Sequence, residues 1–392
     1  MKKVVITEAK RTAIGSLGGV LSSFSAAKLG SFVIKAVLEN SGINKNFVDE
    51  VILGNVLTAG QGQAPARQAA IFAGLPDKTE CLTINKMCGS GLKAVMLAAQ
   101  AIMCDDAEII IAGGQESMSN APYILSKARN GYRLGHGEIL DSMILDGLWD
   151  VYNNIHMGSC AESCAKDFSF TRQQLDEFAI DSYKKAIAAQ KKGKFKDEIV
   201  KITSQTKSGE IIIDEDEEPS KVNFEKIPKL KPVFEKNGIV TAANSSSIND
   251  GAAALLIMSE EKAWELDLHP LVEIVAQSSA AKAPIDFPTA PADAIRKVLQ
   301  KAKMEIEQID LFEINEAFAV VSLAVNKILG IDSAKVNVNG GAVALGHPIG
   351  ASGARILTTL IYEMKKRNLE YGLASLCIGG GEASALIVKN YF

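Results

Sequence analysis

Four side chains in this sequence have the chemistry to move an acyl group through a thiol, and each stands at a glycine-rich turn or a strand end. Cys88 lies in Met87-Cys88-Gly89-Ser90-Gly91, just before a small-residue stretch with helical character. Unpaired amides and positive potential at a helix start favour thiolate, and glycines let a bulky group approach the backbone. Cys377 closes the apolar run 373–376 and opens Ile378-Gly379-Gly380-Gly381, where open amides could hold an oxyanion. His347 is one of four histidines and sits in Gly346-His347-Pro348-Ile349-Gly350, inside the longer glycine-rich stretch 337–353. Pro348 biases it toward extended backbone. Asn315 precedes Glu316-Ala317-Phe318 at the end of its own strand, where an amide can hold a water or a carbonyl. Nucleophile, base, second thiol and amide together suit thiol-based acyl transfer. The plainer readings are a structural turn whose histidine caps a helix, and buried small cysteines. The latter fits Cys81 and Cys104 better, because neither has such a setting.

Residues 4–7, 51–53, 81–85 and 108–112 read as strands. Residues 26–40, 63–73 and 92–103 read as helices, with Pro65 in a first turn. This alternation predicts an α/β fold. Between about 117 and 244 the texture changes to a Gly- and Tyr-containing loop (129–137), polar helices (171–192) and an acidic run (214–218) that reads as a solvated loop. From 248 the alternation resumes with three echoes of the first half. Residues 50–55 parallel 310–315, 89–93 parallel 351–355, and 113–117 parallel 380–384. In register, these imply an internal duplication whose halves pack about a pseudo-twofold, with a site where they meet. The expected division is an N-terminal α/β half (1–117), an inserted loop domain covering the substrate (118–247) and a C-terminal α/β half (248–392).

The 392-residue chain is 47% hydrophobic and 22% charged, as for a globular enzyme, and its net charge of −4 gives no electrostatic case for nucleic acid or an anionic membrane. No apolar run reaches spanning length. The start, Met1-Lys2-Lys3, runs straight into a strand-like segment without signal-peptide features, and Asn390-Tyr391-Phe392 is not a peroxisomal signal; a cytoplasmic location is expected. Six cysteines without a secretion signal read as free thiols. Cys160 and Cys164 share a helical face but have no second ligand pair nearby, so core packing and no metal are expected.

The motifs Asn85-Lys86-Met87-Cys88-Gly89-Ser90-Gly91, Asn315-Glu316-Ala317-Phe318, Asn339-Gly340-Gly341 through Gly350, and Cys377 to Gly381 resemble those of the thiolases, most of all the biosynthetic acetyl-CoA acetyltransferases. The likeness spans essentially the whole chain. It implies a five-layered α-β-α-β-α core and a reversible condensation of two acetyl-CoA to acetoacetyl-CoA and CoA, with no cofactor beyond coenzyme A. Carried over by position, Cys88 takes the acetyl group. His347 activates it and, with a water on Asn315, holds one thioester oxygen. Cys377 moves the α-proton, and the amides of Cys88 and Gly379 form a second oxyanion hole. His156, Met157, Ser246, Leu148, Phe234 and Phe318 match positions around the pantetheine and acyl group, and core packing would account for the wall residues equally well. A homodimer or a dimer-of-dimers homotetramer is implied.

The chain departs from the family pattern at three places. It has Asn244-Ser245-Ser246-Ser247 where Asn-Ala-Ser-Gly is usual. Phe287 stands where a pocket methionine is common. Pro219-Ser220-Lys221 lacks an arginine near the CoA nucleotide. A degradative 3-ketoacyl-CoA thiolase for longer chains is the nearest alternative. A ketosynthase would need a second catalytic histidine in place of Asn315. A non-catalytic CoA-binding protein would have no use for both Cys88 and Cys377.

Overall fold

The computed structural model describes residues 2–206 and 209–391. Met1 and Phe392, part of the readings of the two ends, lie outside the described residues. The frame is a mixed sheet whose long strands are, in chain order, β1 (Val4–Thr12), β2 (Glu50–Gly54), β3 (Glu80–Ile84), β4 (Ile109–Ser117), β5 (Asn249–Ser259), β6 (Val272–Ala281), β7 (Leu311–Ile314), β8 (Tyr371–Ile378) and β9 (Glu382–Asn390). Their order across the sheet is β7-β8-β9-β6-β1-β5-β4-β2-β3. The pairs β2–β3, β2–β4 and β7–β8 are parallel and the others antiparallel. The β1–β6 seam is short, with Val5 opposite Glu273 and Ile6 opposite Val272, and it joins two half-sheets.

Among the described residues, eight helices run to eight residues or more: α1 (Ala26–Ser41), α2 (Pro65–Phe72), α3 (Ser90–Met103), α4 (Met157–Asp167), α5 (Arg172–Lys191), α6 (Ala290–Ala302), α7 (Ala319–Leu329) and α8 (Ser352–Arg367). Side-chain alternation along the strands sends neighbours to opposite faces. Ile110 and Ala112 face α3 and α8, while Ile109 and Ile111 face α1 and α2. Likewise Leu311 faces the α3/α8 layer, and Phe312 and Ile314 face α6 and α7. Because both faces are covered, β4 and β5 are buried along their whole length. The result is five layers, α-β-α-β-α. The central helices meet through glycine: a Cβ on Gly91 would lie 2.8 Å from the Ala354 nitrogen, and one on Gly353 would lie 2.3 Å from that of Leu92.

The duplication is visible in hydrogen bonds, with two corrections. Asp49 Oδ2 accepts from the amides of Glu108 and Ile109, and Asp310 Oδ2 accepts from those of Glu370 and Tyr371. Asp49 therefore corresponds to Asp310, so the echo pairing Glu50 with Asp310 is one residue out of register. The second echo holds, since Ser90 and Ser352 each open a central helix. The third does not. Ile109 corresponds to Tyr371, so residues 113–117 match 375–379, and Gly380 and Gly381 form the β8–β9 turn with φ of 91° and 86°.

The expected boundary at 248 is also one strand early. β5 lies between β1 and β4, so it completes the N-terminal half-sheet after the insert. The acidic run 214–218 is not a simple solvated loop. Asp216 is buried, takes both terminal nitrogens of Arg11 at 2.7 and 2.9 Å, and accepts from the Ile14 amide. Glu198 takes Arg11 Nε at 2.6 Å. A buried guanidinium needs this matching, and the run meets it by tying the insert to β1.

Candidate active site

Cys88 sits in the turn from β3 into α3, near the carboxyl ends of the parallel strands, where open α/β sheets place their sites. Side chains of the turn hold it. Asn85 Oδ1 accepts from the Met87 amide at 3.0 Å, while Ser90 Oγ accepts from the Lys86 amide and donates to the Met87 carbonyl. Met87 is forced to φ 47°, a left-handed conformation costly for a side chain of its size. Gly89 has no room for a side chain, since its Cβ would fall 2.3 Å from Ile378 Cδ1. That contact seats the Cys88 turn against the end of β8, which carries Cys377. An ion pair between Lys86 and Glu382 fastens the same two segments.

The thiol itself is a correction. The helix proper starts at Ser90, and burial pushes the Cys88 thiol up, to about 11, although the amides of Gly379 and Cys88 pull it down. The expected lowering by the helix start is outweighed by desolvation. Cys377 is fully buried at the end of β8, and burial, with Cys88 close by, holds it well above the usual thiol range. The structure thus brings Cys88, Cys377 and the Gly379 amide together.

His347 stands on the loop between the short helix Ala342–Leu345 and α8. Its amide donates to Asn249 Oδ1 at 2.9 Å, and the loop's Gly350 amide donates to Glu116. Ile349 packs in one cluster with Met87 and Cys88, which brings the loop to the nucleophile turn. His347 Nδ1 lies 2.6 Å from Ser352 Oγ, and Nε2 is buried with no hydrogen-bond partner among the described residues. Burial and the positive charge of Arg355 pull the imidazole down to about 3, so it is neutral at physiological pH. Asn315 follows β7 directly. Its amide donates to the Ser375 carbonyl at 3.0 Å, while both polar side-chain atoms are buried and without a partner among the described residues. Buried polar atoms are normally partnered, so these three atoms are free to hydrogen-bond with a substrate.

The insert supplies an aromatic wall. His156 caps α4, with Nδ1 accepting from the Gly158 amide at 3.0 Å. Its ring stacks on Phe234 at 4.7 Å and meets Trp149 edge-on at 6.5 Å. Phe234 meets Phe318 at 6.0 Å, and Phe318 meets Phe287 at 6.3 Å. Met157 reaches the turn after Cys377: its Cε would lie 3.7 Å from a Cβ on Gly379. Ser246 donates its hydroxyl to the Ala317 carbonyl at 2.9 Å, so it can only accept from a ligand. Leu148 is half-buried on the short helical turn Ile144–Leu148. Lys221 pairs with Glu217 at 2.7 Å and with Ser16 Oγ, so its charge is already engaged. Cys160 and Cys164 pack in the core of the C-terminal half.

Three supporting residues carried no role in the sequence reading. Glu116 receives the amides of Val56, Leu57 and Gly350 and the side chain of Asn55, and burial pushes its carboxyl up to about 7. Asn249 anchors His347, and Ser352 touches its ring. The available signal was a charge inside the apolar run 109–117; nothing local marked the other two.

Residues 4–261 match the family model described as Thiolase, N-terminal domain, and residues 268–390 match Thiolase, C-terminal domain. The acetyl-CoA acetyltransferases of Cupriavidus necator and Pseudomonas aeruginosa are 53% and 54% identical to the chain, each covered end to end. The crystal structure of the Bacillus anthracis acetyl-CoA acetyltransferase superposes with a TM-score of 0.97 at 45% identity, covering 100% of this chain and 99% of that one. With both family models filled in order and relatives more than half identical over the full length, the chain belongs to the thiolase family.

Proposed function

We propose that the chain is an acetyl-CoA C-acetyltransferase that joins two acetyl-CoA to acetoacetyl-CoA and CoA, reversibly, through an acetyl-Cys88 thioester. The observation that carries this reading is the Cys88–Cys377–Gly379 cluster, with the His347 loop packed on it through Ile349 and with His347 Nε2 and the Asn315 side-chain amide free of partners among the described residues. Relatives at 50–54% identity over the full length bear the acetyl-CoA acetyltransferase name, which favours it over a degradative thiolase for longer chains.

Proton accounting assigns the roles. Cys88 Sγ attacks the thioester carbonyl while His347 Nε2 takes the thiol proton. The amides of Cys88 and Gly379 hold the oxygen. The C–S bond to CoA breaks, and the leaving thiolate takes its proton from Cys377. Two products of that step matter next: a Cys377 thiolate and a protonated His347. The thiolate removes the α-proton of the second acetyl-CoA, and the enolate oxygen is held by His347 Nε2–H with a water on Asn315. The carbanion attacks acetyl-Cys88, and the expelled Cys88 thiolate recovers its proton from His347. Phe234, Phe287, Phe318, Leu148 and Met157 wall the acyl and pantetheine path, with His156 and Ser246 as its polar contacts. The reaction uses no group beyond coenzyme A.

We further propose a cytoplasmic enzyme that self-associates as a dimer or dimer of dimers. No described helix is long and apolar enough to cross a membrane. β3 is a sheet-edge strand with Leu82 exposed, and Tyr123, Leu125, Leu134 and Ile139 are exposed on the insert. Such open edges and apolar patches mark protein contacts. CoA-dependent loss of acetoacetyl-CoA, with the acetylated enzyme seen by intact mass, tests the activity. No turnover by well-folded protein would refute it. Light scattering reads the assembly.

A further inference from the structure

The mechanism leaves one buried charged pair unused. Arg355 on α8 and Glu313 on β7 are both buried, with Nη1 3.7 Å from Oε2. No described group accepts a hydrogen bond from Nε, Nη1 or Nη2 of Arg355. A guanidinium stays protonated even when buried, and it normally docks a carboxylate as a fork. This one does not, so hydrogen bonding does not explain its place.

Its place follows from two periodicities. Arg355 comes three residues after Ser352, so the two share a face of α8, and Ser352 touches His347 Nδ1 at 2.6 Å. Glu313 comes two residues before Asn315, so the two point to the same side of the extended run, toward α8. One member of the pair thus stands behind each holder of the enolate oxygen. Burial pushes Glu313 up to about 8, against the pull of Arg355, so the carboxyl does not fully cancel the guanidinium charge. The other charges facing Arg355 are Arg11, Asp216 and Glu198, and these are bonded to one another. Glu116 and Glu316 hold amides of the glycine-rich stretch carrying His347, at Gly350 and Val343.

We infer that Arg355, held by Glu313, supplies a fixed positive charge behind His347 that makes its Nε2–H a stronger hydrogen-bond donor to the enolate oxygen at the His347–Asn315 site. It acts through His347 and is a positioning residue. The inference rests on the roles proposed above. A charge preorganised in a low-dielectric interior costs no rearrangement when the oxyanion forms.

The two chemical steps separate this from a structural role. Arg355→Met should slow carbon–carbon bond formation and thiolysis about tenfold, less than the ~10²–10³ for losing a direct oxyanion donor. KM should stay within about twofold, and acetylation of Cys88, which uses the other oxyanion hole and gains from a more basic His347, should not slow. Arg355→Lys keeps the charge and should restore most of the rate. Should Arg355→Met fail to fold with Glu313 unpaired, Glu313→Gln/Arg355→Met removes both charges at similar volume and carries the same expectation. Equal slowing of both steps, or an unchanged carbon–carbon step, overturns the inference. Asn315→Ala is the control: if it too leaves the carbon–carbon step unchanged, the proposed enolate site itself is wrong.

Discussion

Ser352 places its Oγ against His347 Nδ1, the ring nitrogen turned away from the base role. Its hydroxyl lies 2.6 Å from Nδ1 and also 2.9 Å from the Pro348 carbonyl, which can only accept. When the hydroxyl proton goes to Pro348, the oxygen accepts from Nδ1–H and Nε2 keeps the bare lone pair that the proposed base role requires. The first prediction follows. Ser352→Ala removes this preference along with a hydrogen bond of about 1 kcal/mol, so both half-reactions should slow roughly five- to tenfold. Rates of Cys88 acetylation and of thiolysis check it; parental rates would mean that Ser352 does not set the tautomer.

The second prediction concerns how Cys88 becomes a thiolate. Its pKa is raised to about 11, so the resting thiol is protonated at physiological pH and needs His347 as base. In His347→Ala, alkylation of Cys88 by iodoacetamide should climb about tenfold per pH unit while the pH stays below that value, because only the thiolate reacts. In the parent, where His347 takes the thiol proton as the reagent attacks, the slope should be much shallower. Acetyl-CoA should protect Cys88 in the parent and leave exposed Cys104 labelling unchanged. A shallow slope in His347→Ala would show that the thiol is activated by something else.

The third prediction tests the wall. Phe287 is 2% exposed and meets Phe318 edge-on, in one cluster with Met157 and Cys377. Phe287→Met or Phe287→Ala should change the ratio of rates on four-carbon and six-carbon 3-ketoacyl-CoA, since a methylene-sized change in a pocket is worth roughly 1–3 kcal/mol. Phe287→Ala should also lower stability by about 3–5 kcal/mol, the cost of emptying a core aromatic site. An unchanged ratio with lowered stability would make Phe287 core rather than pocket.

Much of this was legible in the chain because it depends on local pattern. The alternation of apolar runs and small-residue helices pointed to the α/β class, and the glycine-flanked cysteines and histidine pointed to the candidate site. What escaped depends on distant pairing. β5 looks like the start of a new half because it follows the insert, yet it pairs back between β1 and β4. The acidic run looks solvated until Arg11, some two hundred residues earlier, is found against Asp216. Cys88 looks like a thiolate from its place before a helix, but the desolvation that outweighs this comes from β8 and the loop after His347. Burial by remote segments leaves no trace in the local sequence.

The last prediction separates the two thiols. Cys88 carries the acetyl group in every half-reaction, whereas Cys377, fully buried beside it, is assigned only to proton transfer. Cys377→Ala should therefore still acquire one acetyl group from acetyl-CoA, visible on intact protein, though more slowly because the leaving CoA loses its proton donor. Its thiolysis and condensation rates should fall about 10²–10⁴-fold, the usual contribution of general acid–base catalysis. Cys88→Ala should do neither reaction. Removing the Cys377 thiol leaves a small void at the end of β8, so circular dichroism and a melting curve must accompany the rates. Rapid thiolysis by Cys377→Ala, or a folded Cys377→Ala that cannot be acetylated at all, would reverse the assignment of the two cysteines.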